Sequence, residues 1–102
     1  TMGEKITGDA KLNLKASDIA RFLNGEFHGV DIQIKTVEPI NDITENALVF
    51  SKEKIQKHLL EKLQDVCIVT SALPDEGTGR NAFILVKNPR LAFAKALSEF
   101  FV

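Results

Sequence analysis

The sequence predicts an α/β fold, a small sandwich with a mixed, partly parallel sheet flanked by about three helices. Three observations carry this expectation. Residues 47–50 (ALVF), 66–70 (VCIVT) and 82–86 (AFILV) are continuous apolar runs, the pattern of strands covered on both faces. Between the first two, "SKEKIQKHLLEKLQ" places Ile55, Leu59 and Leu63 at four-residue spacing with Leu60 beside them, the stripe of an amphipathic helix near 52–64. Strand, helix, strand in that order implies a right-handed parallel crossover. Two further helix signals lie toward the ends of the chain.

The first is "KASDIARFLNG", where Ile19, Phe22 and Leu23 fall at i, i+3 and i+4 and share one face. Ser17, or a residue just before it, can cap the start, and Gly25 can take the positive backbone angle that ends many helices. "DIQIK" then alternates Ile32 and Ile34 with Gln33 and Lys35, which predicts an edge strand with one wet face, paired to "EFHG" around Phe27. "VEPINDITEN" carries Pro39 with several Asx and Thr residues and reads as loop. In the helix 52–64, Glu53–Lys57 and Lys57–Glu61 can pair across turns. "SALPDEGTGRN", residues 71–81, is the most polar connection. The last helix begins at "NPRLAFAKALSEFF", with Asn88 as cap, Pro89 in the first turn, and Phe93, Leu97 and Phe100 as its core stripe.

At 102 residues and 44% hydrophobic the chain can bury one modest core, so a single domain is expected. Its formal net charge of -1 argues against a phosphate-backbone binder, and no nucleic-acid partner is expected. The single cysteine cannot close an internal disulfide and no secretory signal is visible, which points to the cytoplasm. No run approaches the roughly 18 apolar residues of a membrane span, so no integral membrane segment is expected. There is no internal repeat or low-complexity tract.

Chemistry-bearing residues are few. His28 and His58 stand apart, neither with Cys or carboxylate at metal-ligand spacing, and no metal site or cofactor is expected. Cys67 sits in an apolar strand, where a thiol packs as a small hydrophobe with a raised pKa and is a poor nucleophile. "DEGTGR" has two glycines but leads into a strand, whereas a phosphate loop leads into a helix with Lys and Ser or Thr, so it reads as a turn. No catalytic residue is assembled.

What remains is the stretch "ALVFSKEKIQ". Phe50, Ser51, Lys52 and Lys54 stand where a parallel strand passes into a helix, the edge at which α/β sheets meet ligands. Phe50 can stack on a flat heterocycle, Ser51 can cap or bond a ligand, and the lysines can meet phosphate. The same residues also suit a plain strand end with Phe50 in the core, Ser51 as cap and two solvated lysines. Both readings stand on chemistry alone.

Two segments, "VEPINDITENALVFSKEKIQKHL" and "ILVKNPRLAFAKALSEFF", together with the opening "ASDIARFLNGEFHG", resemble the N-terminal non-repeat domain of UDP-3-O-acylglucosamine N-acyltransferase, the enzyme that adds the second acyl chain in lipid A synthesis. That fold is related in shape to the N-terminal domains of Mur ligases. The resemblance implies a domain, residues 1–102, that recognises the uridine end of a UDP-sugar by stacking uracil on an aromatic pair with an Asn nearby. Phe50 matches the first aromatic. The family's Phe-Leu-Ala-Asn-Pro-Lys-Tyr run stands here as "FSKEKIQ": Lys54 matches the Lys, Glu53 stands near the Asn or Pro, and Ile55 near the Tyr. The chain has no Tyr or Trp, so half the clamp and its amide are replaced, and UDP-sugar or uridine is expected to bind no tighter than millimolar.

The sequence ends at "SEFFV", about where the family passes into a left-handed β-helix of hexapeptide repeats, and contains no such repeat. The family's acyl-transfer histidine and its contacts with acyl carrier protein are expected in that β-helix, and the full-length protein can form an oligomer. The chain itself is then a non-catalytic recognition domain or, alternatively, a divergent packing or assembly module of the same fold without nucleotide binding.

Overall fold

A computed structural model describes residues 14–37 and 44–101. The elements run α1 (Ala16–Leu23), β1 (Glu26–Gly29), β2 (Thr36–Val37), β3 (Ala47–Ser51), α2 (Lys57–Leu60), β4 (Gln64–Thr70), β5 (Arg80–Leu85) and α3 (Pro89–Phe100). They form a five-stranded sheet in the order β1-β5-β4-β3-β2. β2, β3, β4 and β5 are parallel neighbours, and β1 closes the edge antiparallel to β5. The mixed α/β sandwich with three helices is the architecture expected from the three apolar runs, which are its central strands.

Those runs are apolar throughout because both faces are covered. On one face Leu48, Cys67, Val69, Ala82 and Ile84 pack under α1 and α3. On the other, Val49, Val66, Ile68 and Phe83 pack with Ile55 and Leu60. Alternate residues of each strand thus enter different clusters. α3 lies on the sheet through Ala92 and Ala96, its buried residues beyond Pro89. Phe93, Leu97 and Phe100, expected as its core stripe, pack against the cluster only partly buried. Small side chains at 92 and 96 bring the backbone close and push the large ones to the flanks.

The helix expected over 52–64 is replaced by α2, four residues long. Ser51 ends β3, and its hydroxyl donates to the Glu53 carbonyl at 2.6 Å and accepts from the Glu53 N–H at 3.3 Å. That local turn competes with helix formation. Ile55 is buried ahead of α2, and β4 begins at Gln64, leaving no length for a longer helix. Lys54 pairs with Asp75 at 2.9 Å; the expected Glu53–Lys57 and Lys57–Glu61 pairs are absent among the described residues.

The other differences are local. "EFHG" is β1 but pairs with β5 at one edge, while "DIQIK" lies toward the other and contributes a single bridge, Lys15 to Gln33. Ile32 and Ile34 are nonetheless buried between exposed neighbours. Asn24 rather than Gly25 takes the left-handed backbone, φ 57. Gly25 is needed for a different reason: a Cβ there would lie 2.9 Å from side-chain carbons of Ile84 and Val86. At the start of α1, Asp18 accepts from the Lys15 N–H at 3.0 Å, and Asp31 accepts from the Ser17 N–H at 3.0 Å and hydroxyl at 2.8 Å. Two carboxylates suit the positive end of a helix. Most of the expected loop "VEPINDITEN" lies outside the described residues.

β4 returns to β5 without a helix, over residues 71–79. A parallel return usually takes a dozen residues or more. Nine extended residues reach about 30 Å at roughly 3.3 Å each, enough to run back along a seven-residue strand. Leu73 packs on the second core cluster along the way. The ends of this return are held by Asn81, fully buried. Its side chain accepts from the Val66 N–H at 3.1 Å and donates to the carbonyls of Leu63 at 3.2 Å and Thr78 at 3.3 Å. Gly29, with φ 96, lies against the Asn81 carbonyl so closely that a Cβ would overlap it.

Asn81→Ala strands the Val66 N–H and the Leu63 carbonyl, while the Thr78 carbonyl keeps the backbone N–H of residue 81, so a loss of about 2–4 kcal/mol is expected, read as a lower urea midpoint at unchanged slope. Cys67 is fully buried, and burial, with a smaller contribution from the charge of Asp31, pushes its thiol well above the ordinary range. The folded chain is therefore expected to resist thiol reagents at neutral pH and to label at Cys67 only on unfolding, checked by mass spectrometry with and without denaturant.

Candidate functional site

The carboxyl ends of β3, β4 and β5 point the same way, and α3 crosses over that end of β3. Phe50, opposite Val69 in the ladder, turns its ring to the α3 side of the sheet and is partly buried. It meets Phe93 with ring centroids 4.8 Å apart and planes tilted by 38°. Beside the pair runs an open groove of about 450 Å³ lined by Phe50, Lys52, Arg90, Phe93, Ala94 and Leu97. The four α3 residues stand at i, i+3, i+4 and i+7, one helix face.

The four residues singled out from the sequence divide here. Phe50 and Lys52 line the groove. Ser51 and Lys54 do not: the Ser51 hydroxyl closes the turn onto Glu53, and Lys54 reaches across to Asp75 of the β4–β5 return. Ile55, near the family's Tyr in the resemblance, is 3% exposed and packs on the opposite face of the sheet from Phe50. No clamp from residues 50 and 55 can therefore close on one ligand. The second aromatic and the second cation of the groove come from α3.

Sequence reading assigned Phe93 and Leu97 to the core and passed over Arg90. The available signal was their spacing, since Arg90 shares the Phe93 face at i, i+3; the missing fact was that this face borders β3.

The Phe50–Phe93 pair offers a flat apolar surface, and Lys52 and Arg90, both exposed, offer positive charge at its rim. A second cavity of about 730 Å³ lies where the end of α1 meets the end of β5, and its lining mixes Glu26 with Lys87 and holds no aromatic ring. His28 is near Glu26 at 3.2 Å on exposed β1, His58 is exposed on α2, and the turn "DEGTGR" belongs to the β4–β5 return. Among the described residues no group of three His, Cys, Asp or Glu side chains could hold a metal ion. No helix among them is long and apolar enough to cross a membrane.

Comparison with known proteins gives one family. Residues 31–98 match the model of the family described as LpxD, UDP-3-O-(3-hydroxymyristoyl) glucosamine N-acyltransferase. A search of curated proteins gives no match. The matched span runs from the segment before β2 through nearly all of α3, so it contains the three central strands, the Phe50 turn and the α3 face of the groove. With more than half of its length matched, the chain belongs to the LpxD family of lipid A acyltransferases.

Proposed function

We propose that residues 1–102 form the substrate-recognition domain of an LpxD-type acyltransferase, which holds the uridine end of a UDP-sugar and performs no acyl transfer by itself. The observation that carries this reading is the placement of Phe50: an aromatic ring at the carboxyl end of a parallel strand, partly exposed, lining an open groove in a chain of this family. Uracil stacks on the Phe50 surface and Lys52 stands at the rim. Ser51 and Lys54 act on the site through the turn they fix. Acyl transfer and contact with acyl carrier protein belong to the family's β-helix, and the substrate is met in the cytoplasm.

Stacking of one base on one aromatic supplies about 1–3 kcal/mol, and a millimolar dissociation constant corresponds to about 4 kcal/mol. Uridine is therefore expected to bind the chain no tighter than millimolar. In a chemical-shift titration, shifts should cluster at residues 50–56 and around Phe93. They should be lost in Phe50→Ala and in Phe50→Leu, which keeps apolar bulk while removing the flat ring. A chain whose spectrum does not respond to uridine would leave the fold as a packing or assembly module. The purified chain is also expected to transfer no acyl group from acyl carrier protein to a UDP-sugar amine. Turnover abolished by a substitution within residues 14–101 would contradict this.

A further inference from the structure

We propose that the α3 side of the groove is a diphosphate subsite, in which Arg90 and Lys52 take the phosphates of a nucleoside diphosphate whose base lies on the Phe50–Phe93 surface. The inference rests on the uridine reading above and extends it to residues of α3.

Three observations carry it. The rings of Phe50 and Phe93 touch, with centroids 4.8 Å apart, so a base cannot pass between them and must lie on their exposed side, next to α3. Within the groove the charged side chains are Lys52 and Arg90, with no carboxylate in the lining. Neither makes an ion pair or side-chain hydrogen bond among the described residues, whereas Lys54 is held by Asp75. Two cations without such a partner among the described residues, beside an aromatic surface, complement a ligand that is flat at one end and anionic at the other. Arg90 can meet a phosphate with two parallel N–H donors, and Lys52 adds a point charge. Ala94, one position after Phe93 on the same helix face, leaves the space between them open. The cavity at the end of α1 lacks this complementarity because its lining includes the carboxylate of Glu26 and no aromatic ring.

The test compares UDP, uridine and inorganic pyrophosphate as ligands of the 102-residue chain at low and high salt. UDP is expected to bind about tenfold tighter than uridine, the equivalent of one charge-assisted contact, and so beyond the millimolar limit set by stacking alone. High salt should shrink that advantage. Arg90→Gln and Lys52→Gln should each weaken UDP by a larger factor than uridine and so remove much of that advantage. Phe50→Leu should weaken UDP and uridine together. Lys95→Gln removes the same charge from α3 outside the groove lining and should preserve the advantage of UDP.

If UDP binds no tighter than uridine, or if Lys95→Gln costs as much as Arg90→Gln, the diphosphate subsite is refuted while the uridine reading stands. Pyrophosphate binding as tightly as UDP would make the groove an anion site without a base component and would also overturn the proposal. Failure of both uridine and UDP to bind removes the uridine reading and the subsite with it.

Discussion

The buried side chain of Asn81 holds together the end of the sheet from which the parallel strands start. Its three hydrogen bonds reach Leu63 just before β4, Val66 in the first half of β4 and Thr78 in the return loop before β5. They span the point where the β4–β5 register shifts between Gln64 and Cys67 and where Asp65 takes a positive φ of 57. A neighbouring asparagine continues the seam. The Asn46 N–H donates to the Asp65 carbonyl at 2.6 Å, its side chain donates to the Gln33 carbonyl at 2.9 Å, and its own carbonyl accepts from Lys35 at 2.8 Å. Backbone groups that an irregular ladder would strand are thereby paired. Because this end is tied by internal polar contacts, the strands are fixed in register and their carboxyl ends arrive together at the opposite edge.

That opposite edge is built differently. Thr70 is buried, and its hydroxyl is satisfied by the backbone of Ala72; Ser51 likewise turns its hydroxyl onto Glu53. The polar groups of the strand ends thus close local turns, and what they leave facing the groove is aromatic surface and long cationic side chains. Phe50 and Phe93 serve two purposes. Each packs against the main core cluster, and each leaves part of a ring exposed. Large rings half-buried on a rigid sheet and helix keep their orientation without a ligand, which limits the entropy that binding must supply.

Membership of the LpxD family and the local departures from its pattern are compatible for a physical reason. The strand ending in Phe and the Asn-Pro helix start are retained, and both serve packing: Asn88 caps α3 by accepting from the Leu91 N–H at 3.1 Å, and Pro89 is buried. The short segment after Phe50 turns away from the groove. Ile55 is buried among Val66, Ile68 and Phe83, and the surface beside Phe50 is completed by α3.

The amino-acid order alone was sufficient for the central strands, the cap of α3 and the class of fold, whereas at α1 Lys15 and Asn24 stand at the ends expected of Ser17 and Gly25. Continuous apolar runs at 47–50, 66–70 and 82–86 have few alternatives to doubly covered strands, and Asn88-Pro89 marks a helix start by chemistry confined to neighbouring residues. It also placed Phe50 and Lys52 at the carboxyl end of a parallel strand, where the structure has them lining a groove. It misled over 52–64, where helical spacing is also met by Ile55 and Leu60 anchoring an irregular segment, and the short span between strands settled the matter. The pairing of β1 with β5, the stitching role of Asn81, and the union of Phe93 and Arg90 with Phe50 depend on which elements lie side by side. Such contacts join different elements of the chain, and periodicity carries no information about them because it reports which face of an element is apolar and not what that face meets.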